Sequence, residues 1–168
     1  LHSARETGDE ALMLSRTGEA WIGADRVAAG QAMQADGVDL IIMDDGHQNP
    51  GLAKTLSLVV VDSAAGFGNG HVIPKGPLRE PVEAGLARAD AIVLIGDAEP
   101  PAAVTAFDGP VLTARIEPVT DLAPGRYVAF AGIGRPEKFF DTLAASGSKP
   151  LDAVPFADHH PYSRGDLK

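Results

Sequence analysis

The stretch LSLVVVDSAAGFGNGHVIPKGPLREPVEAGLARADAIVLIG, residues 56–96, decides the fold. It opens on one apolar run, LSLVVVD (56–62), and closes on another, AIVLIG (91–96). Continuous apolar runs of this length, rich in Val and Ile, fit strands buried on both faces, as in a parallel sheet. Between them, PLREPVEAGLARAD (77–90) reads as a helix. The segment GFGNGHVIPKGPLREP (66–81) carries Gly66, Gly68, Gly70 and Gly76 and is too rich in Gly and Pro for a regular element. Loops of that kind often line sites. Outward from this unit the alternation continues. DLIIM (39–43), VLTARI (111–116) and RYVAFAG (126–132) read as further strands. ADRVAAGQAMQADG (24–37) reads as a helix ending at Gly37, and RPEKFFDTLAASG (135–147) as one with Pro136 in its first turn and Gly147 at its end. Strands alternating with helices predict an α/β fold with a mostly parallel sheet. IEPVTDLAPGR (116–126) is polar and Pro-containing, and reads as a joint between two subdomains.

Composition bounds the function. The 168 residues are 45% hydrophobic and 22% charged, which suits one globular domain or parts of two. A net charge of −9 gives no electrostatic reason to bind nucleic acid or an anionic membrane. Cysteine is absent, so disulfides and thiolate metal sites are excluded. No apolar run approaches the roughly 18 residues of a membrane span. The chain starts at Leu1 and stops in SRGDLK, which reads as a piece of a longer protein.

The residues fit for chemistry cluster at the ends of the apolar runs. LIIMDDGHQN (40–49) drives a greasy segment into Asp44 and Asp45, two like charges side by side. In a parallel sheet, ligands bind beyond the carboxyl ends of strands, where paired carboxylates offer hard oxygens to Mg²⁺. The same residues also suit a solvated turn. In PLREP (77–81), Arg79 suits a phosphate and Glu80 a metal or a proton, or the pair is simply a helix start with an acid in its first turn. ADHHPY (157–162) offers metal ligands, an Asp-oriented histidine or an ordinary hydrogen-bonded loop. Asp9 and Glu10 of GDE (8–10) read as a turn. FAGIG (130–134) reads as a tight strand–helix turn or an anion site.

The order of these pieces adds what none carries alone. GDEALML, IIMDDGHQN, VVVDSAAGFGNGHVIPKGPLREP, FAGIGRPEKFF and FADHHPYS follow one another along nearly the whole chain. In that order they resemble the tetraacyldisaccharide 4′-kinase family of the lipid A pathway. The chain departs from the family at His47, where Leu or Phe is usual, and at Lys75, where a small residue is usual. It also contains no G-x-x-x-x-G-K-[ST], the phosphate-cradling P-loop that the family carries upstream of GDE.

The resemblance implies transfer of the γ-phosphate of ATP to the 4′-hydroxyl of a tetraacyldisaccharide 1-phosphate, giving lipid IVA, with Mg²⁺ as cofactor. It implies Asp9 as the base for the hydroxyl, paired with His159, while His160 falls at a variable place. It implies Asp44, Asp45 and Glu80 near Mg²⁺ and the phosphates, and Arg79 on the substrate phosphate. Residues 1–109 would be the later part of a P-loop nucleotide-binding domain, and 110–168 the start of a smaller α/β C-terminal lobe, both incomplete. The partners would be the acyl disaccharide lipid and the cytoplasmic face of the inner membrane, met peripherally through an N-terminal part, and no nucleic acid. Without the P-loop, this stretch alone is expected to be inactive. Two rivals stand beside this reading. DHH also marks a family of metal-dependent phosphoesterases, although the further Asp motifs of a two-metal site are not found. A non-catalytic nucleotide-binding module is the other.

Overall fold

The computed structural model describes residues 3–118, 122, 125–147 and 149–166. They divide into two compact units, Leu1–Leu94 with Glu99–Leu112, and Ile95–Ala98 with Thr113–Lys168. In the first, two short helices, α1 (Ala4–Thr7) and α2 (Asp9–Leu14), precede α3 (Arg26–Ala35). Asp25 caps α3 by accepting from the Val27 and Ala28 amides at 2.9 and 3.0 Å. Strand β1 (Leu58–Asp62), helix α4 (Val82–Leu86), strand β2 (Ala91–Ile95), helix α5 (Ala102–Thr105) and strand β3 (Val111–Ala114) follow, with Ile95 of β2 and Thr113 and Ala114 of β3 counted in the second unit. The sheet order is β1-β2-β3. The Ile92 amide donates to the Pro110 carbonyl and the Gly96 amide to that of Ala114, so β2 and β3 advance in the same direction and pair parallel. Val61, Ile92 and Leu94 of the sheet bury against Leu86 of α4 and Val104 of α5, and form the core of this unit.

In the second unit, β4 (Val128–Ala131) pairs parallel with β5 (Asp152–Pro155), Val128 opposite Asp152 and Ala131 opposite Pro155. Helix α6 (Pro136–Ala145) connects them, the strand–helix–strand order that a parallel pair requires. Pro136 occupies its first turn, and Gly147 just beyond its end takes φ 82°, which a side chain would resist. Ala129 and Ala131 are buried, and Phe130, Phe156 and Tyr162 meet edge to face at 5.1–6.4 Å between centroids.

Two expected elements differ. The run 39–43 is not a strand: it passes without a ladder partner among the described residues, and Leu40 and Ile42 are 75% and 86% exposed. An apolar run becomes a strand only where another strand satisfies its amides and carbonyls. The helix expected over 77–90 is confined to Val82–Leu86. Pro81 biases Glu80 to extended backbone, so the helix begins after it, and Leu78 instead bridges to Val72. The expected joint 116–126 lies partly outside the described residues.

The Gly-rich loop is held by its own polar groups. Asp62 Oδ1 accepts from the Ala64 and Ala65 amides at 3.0 and 3.1 Å, and Asn69 Nδ2 donates to the Lys75 carbonyl at 2.9 Å. Gly76 closes the loop where a Cβ would overlap both Asn69 Oδ1 and the His71 carbonyl oxygen. The carbonyl belongs to the backbone and cannot swing away. Gly76→Ala is therefore expected to cost about 1–3 kcal/mol, the range of overpacking. Gly18→Ala, at a glycine with nothing within 4 Å, should change stability by less than about 0.5 kcal/mol. Thermal melts of the two variants check the contrast.

Candidate active site

Asp44 and Asp45 form a turn at the end of the exposed 40–43 run. Asp45 takes φ 47°, a left-handed backbone that Asp tolerates better than most side chains. Arg79 reaches back across the loop to this turn. Its Nη1 donates to Asp45 Oδ2 at 2.9 Å and Oδ1 at 3.2 Å, and lies 3.5 Å from Gln48 Oε1. Arg26, placed by the capped start of α3, donates from Nη1 to the Asp44 carbonyl at 3.0 Å. The guanidinium of Arg26 thus ties α3 to the turn, while the Asp44 carboxylate has no hydrogen-bond partner of its own among the described residues.

Glu80 faces the other way from its neighbour. Arg88 Nη2 donates to Glu80 Oε1 at 2.6 Å. That bond is the largest influence on the Glu80 carboxyl and lowers it from its ordinary value; burial opposes it, and lesser contributions from Gln48 and the Arg88 charge act in the same sense as the bond. His47 Nε2 donates to the Gly85 carbonyl at 2.9 Å, while its buried Nδ1 has no partner.

Arg79, Glu80 and Asp45 are thus brought together with Gln48, Arg88 and His47. Gln48 was visible only as part of the DDG–Q pattern, and nothing in the sequence signalled Arg88 or Arg26. Beside this cluster an open cleft of about 480 Å³ is lined by Phe67, His71, Val72, Val82 and Glu83 among others. The donor chemistry of Asp44, Asp45 and Glu80 suits a hard cation such as Mg²⁺. They do not stand assembled as a ligand set: Asp45 and Glu80 are each engaged by a guanidinium, and among the described residues no group of three or more His, Cys, Asp or Glu is gathered for a metal.

Asp9 opens α2 in the first unit, exposed, with its Oδ1 accepting from the Glu10 amide at 3.1 Å. An acid in the first turn suits the helix dipole. His159 belongs to the second unit. It sits in a turn at φ 55°, its amide donates to the Gly132 carbonyl at 3.0 Å, and its Nε2 lies 3.9 Å from Asp158 Oδ2. His160 is placed differently. Its ring stacks on Phe156 at 4.6 Å, and its Nε2 lies 3.4 Å from Asp166 Oδ2 but outside hydrogen-bond geometry. Asp166 is held low chiefly by the Ser163 hydroxyl and amide, with a smaller contribution from His160. Gly132 is required where it stands, since a Cβ would come 2.9 Å from the Ala157 carbonyl oxygen. Among the described residues, no helix is long and apolar enough to cross a membrane.

The chain is similar to proteins of known family and structure. The crystal structure of an "apo" form of LpxK from Aquifex aeolicus, in complex with ATP, superimposes with a TM-score of 0.72 at 24% identity, over 97% of this chain and 56% of that one. The likeness establishes that the two share a fold. The tetraacyldisaccharide 4′-kinase of Hyphomonas neptunium is 59% identical over 99% of this chain and 50% of its own length, and that of Maricaulis maris 53% identical over 99% and 51%. The chain spans about half the length of these curated relatives. The family model for LpxK, tetraacyldisaccharide-1-P 4′-kinase, matches residues 1–168 from end to end, and the chain belongs to that family.

Proposed function

We propose that the protein containing this chain transfers the γ-phosphate of ATP to the 4′-hydroxyl of a tetraacyldisaccharide 1-phosphate. The observation that carries this reading is the family match over every residue, 1–168. Phosphoryl transfer needs positioning, charge neutralisation and a group to take the hydroxyl proton. We assign the proton to Asp9, with His159 supporting its charge, and the substrate phosphate to Arg79. Asp44, Asp45 and Glu80 are the residues we assign to a Mg²⁺ ion, which when bound supplies charge neutralisation on the phosphates. Asp45 becomes available by exchanging Arg79, whereas Arg88 engages Glu80 through Oε1 alone. Residues 1–109 then belong to the nucleotide-binding domain, whose P-loop lies in a part of the protein outside this chain, and 110–168 to the second lobe. The acceptor is a lipid, so the enzyme works peripherally at the cytoplasmic face of the inner membrane.

The test is a comparison of three incubations of the full-length protein: ATP and Mg²⁺ alone, ATP and Mg²⁺ with the acceptor, and the phosphorylated lipid without nucleotide. A kinase consumes ATP in proportion to acceptor phosphorylated. Phosphate release from the lipid without nucleotide would favour a phosphoesterase, and ATP binding without turnover a nucleotide-binding module. Within the kinase, Asp44→Ala should raise the Mg²⁺ concentration for half-maximal rate. An unchanged Mg²⁺ titration would return Asp44 to an ordinary solvated turn.

A further inference from the structure

We infer that Arg88 is a positioning residue for Glu80, and through it for the PLREP turn (77–81), in the phosphoryl transfer proposed above, on which this inference rests. Arg88 is held at both ends of its guanidinium. Nη2 donates to Glu80 Oε1 at 2.6 Å, and Nη1 donates to the Ala84 carbonyl at 2.7 Å. That carbonyl is one turn back along the chain that forms α4, so the fork takes its bearing from the helix and passes it to Glu80. A planar guanidinium suits this double duty, since its donors diverge in a fixed geometry.

Two carboxylate–guanidinium pairs meet at adjacent residues of the turn, and they are not alike. The Arg79–Asp45 pair has side chains 62% and 64% exposed, whereas the Glu80 side chain is 22% exposed. Glu80 is therefore the fixed point of the turn and Arg79 its solvated end. His47 of the DDGHQ turn is tied to the Gly85 carbonyl of α4. Glu80, through Arg88, links the PLREP turn to the segment that follows α4. The eight-residue spacing of Glu80 and Arg88 is not a helix-face spacing. It closes only because the chain enters the helix at Pro81 from an extended residue.

Half-exposed ion pairs add little to stability, commonly about 0–1 kcal/mol. Orientation, in contrast, is sensitive: a displacement of about 1 Å near reacting groups can cost on the order of 10² in rate. The magnitudes favour a kinetic role over a structural one.

The experiment measures single-turnover rates of full-length wild type, Arg88→Ala, Arg88→Lys, Glu80→Ala and the Arg88→Ala/Glu80→Ala double variant with Mg²⁺–ATP and acceptor. Arg88→Ala should slow the reaction about 10–100-fold, with KM for ATP unchanged. Arg88→Lys should recover part of the loss. In the Glu80→Ala background, Arg88→Ala should cost little more, because it acts through the carboxylate already removed. If Arg88→Ala does not fold, Arg88→Gln, which keeps donors of similar reach, enters the same cycle. A wild-type rate for the Arg88 variant overturns the inference, and so does a fully multiplicative loss in the double variant. A wild-type protein with no kinase activity fails before any variant is compared, and removes the proposed function itself.

Discussion

Asp9→Ala in the full-length protein is expected to lower kcat by about 10²–10⁴ if Asp9 is the general base proposed above, the usual cost of removing one. Asp9 is exposed at the first turn of α2, where its Oδ1 accepts from the Glu10 amide. A thermal melt beside the kinetics separates a loss of rate from a loss of folding. His159 needs a different replacement. Its backbone stands at φ 55°, which Asn tolerates and Ala resists, so His159→Asn removes the ring without straining the turn. If His159 supports the charge on Asp9, the two act as a unit, and the double variant should be little worse than the worse single one. Multiplicative losses would mean independent roles. His160→Ala should behave oppositely. Its ring is packed on Phe156 and near Tyr162, so its removal should cost at least the roughly 0.5–1.5 kcal/mol of a ring pair while sparing kcat. A larger kcat loss at His160 than at His159 would show that the wrong histidine has been assigned.

Arg79→Ala is expected to slow turnover by about 10²–10³, the range for losing a preorganised donor to developing charge. Its side-chain hydrogen-bond partners among the described residues are Asp45 and Gln48, and the Arg79 and Asp45 side chains are more than half exposed. Such a pair contributes at most about 1 kcal/mol to folding. The prediction is thus a large kinetic effect on a small thermal one. Arg79→Lys should recover charge but not the planar fork, and so restore activity only in part. Steady-state kinetics beside a thermal melt separates the cases. A large drop in melting temperature with a modest rate change would make Arg79 a structural clamp on the DDGHQ turn.

Much of the fold was legible because burial and turn chemistry are local. The apolar runs at 56–62, 91–96, 111–116 and 126–132 contain β1 to β4, and Gly37 and Gly147 stand just past their helices at φ 84° and 82°. The run at 39–43 misled for a physical reason: composition marks a segment that can pair, not whether a partner strand lies beside it. PLREPVEAGLARAD misled because its prolines outweigh its helix formers in the first half. At the site, the chemistry-bearing residue types could be named from their pattern, but their pairing could not. Arg79 and Asp45 are 34 residues apart, and Arg88 lies across a helix from Glu80. Only the folded chain brings such residues together, and no periodicity encodes that Glu80 turns to Arg88 while Arg79 turns to Asp45.

The proposed reaction phosphorylates the 4′-hydroxyl of the acyl disaccharide. The most direct measurement is fragmentation mass spectrometry of the product formed by full-length protein with Mg²⁺–ATP, alongside an acceptor lacking the 4′-hydroxyl. The expected product carries one added phosphoryl group, located on the distal sugar at position 4′, and the deoxy acceptor gives none. Phosphorylation at another position, or equal labelling of the deoxy acceptor, would contradict it.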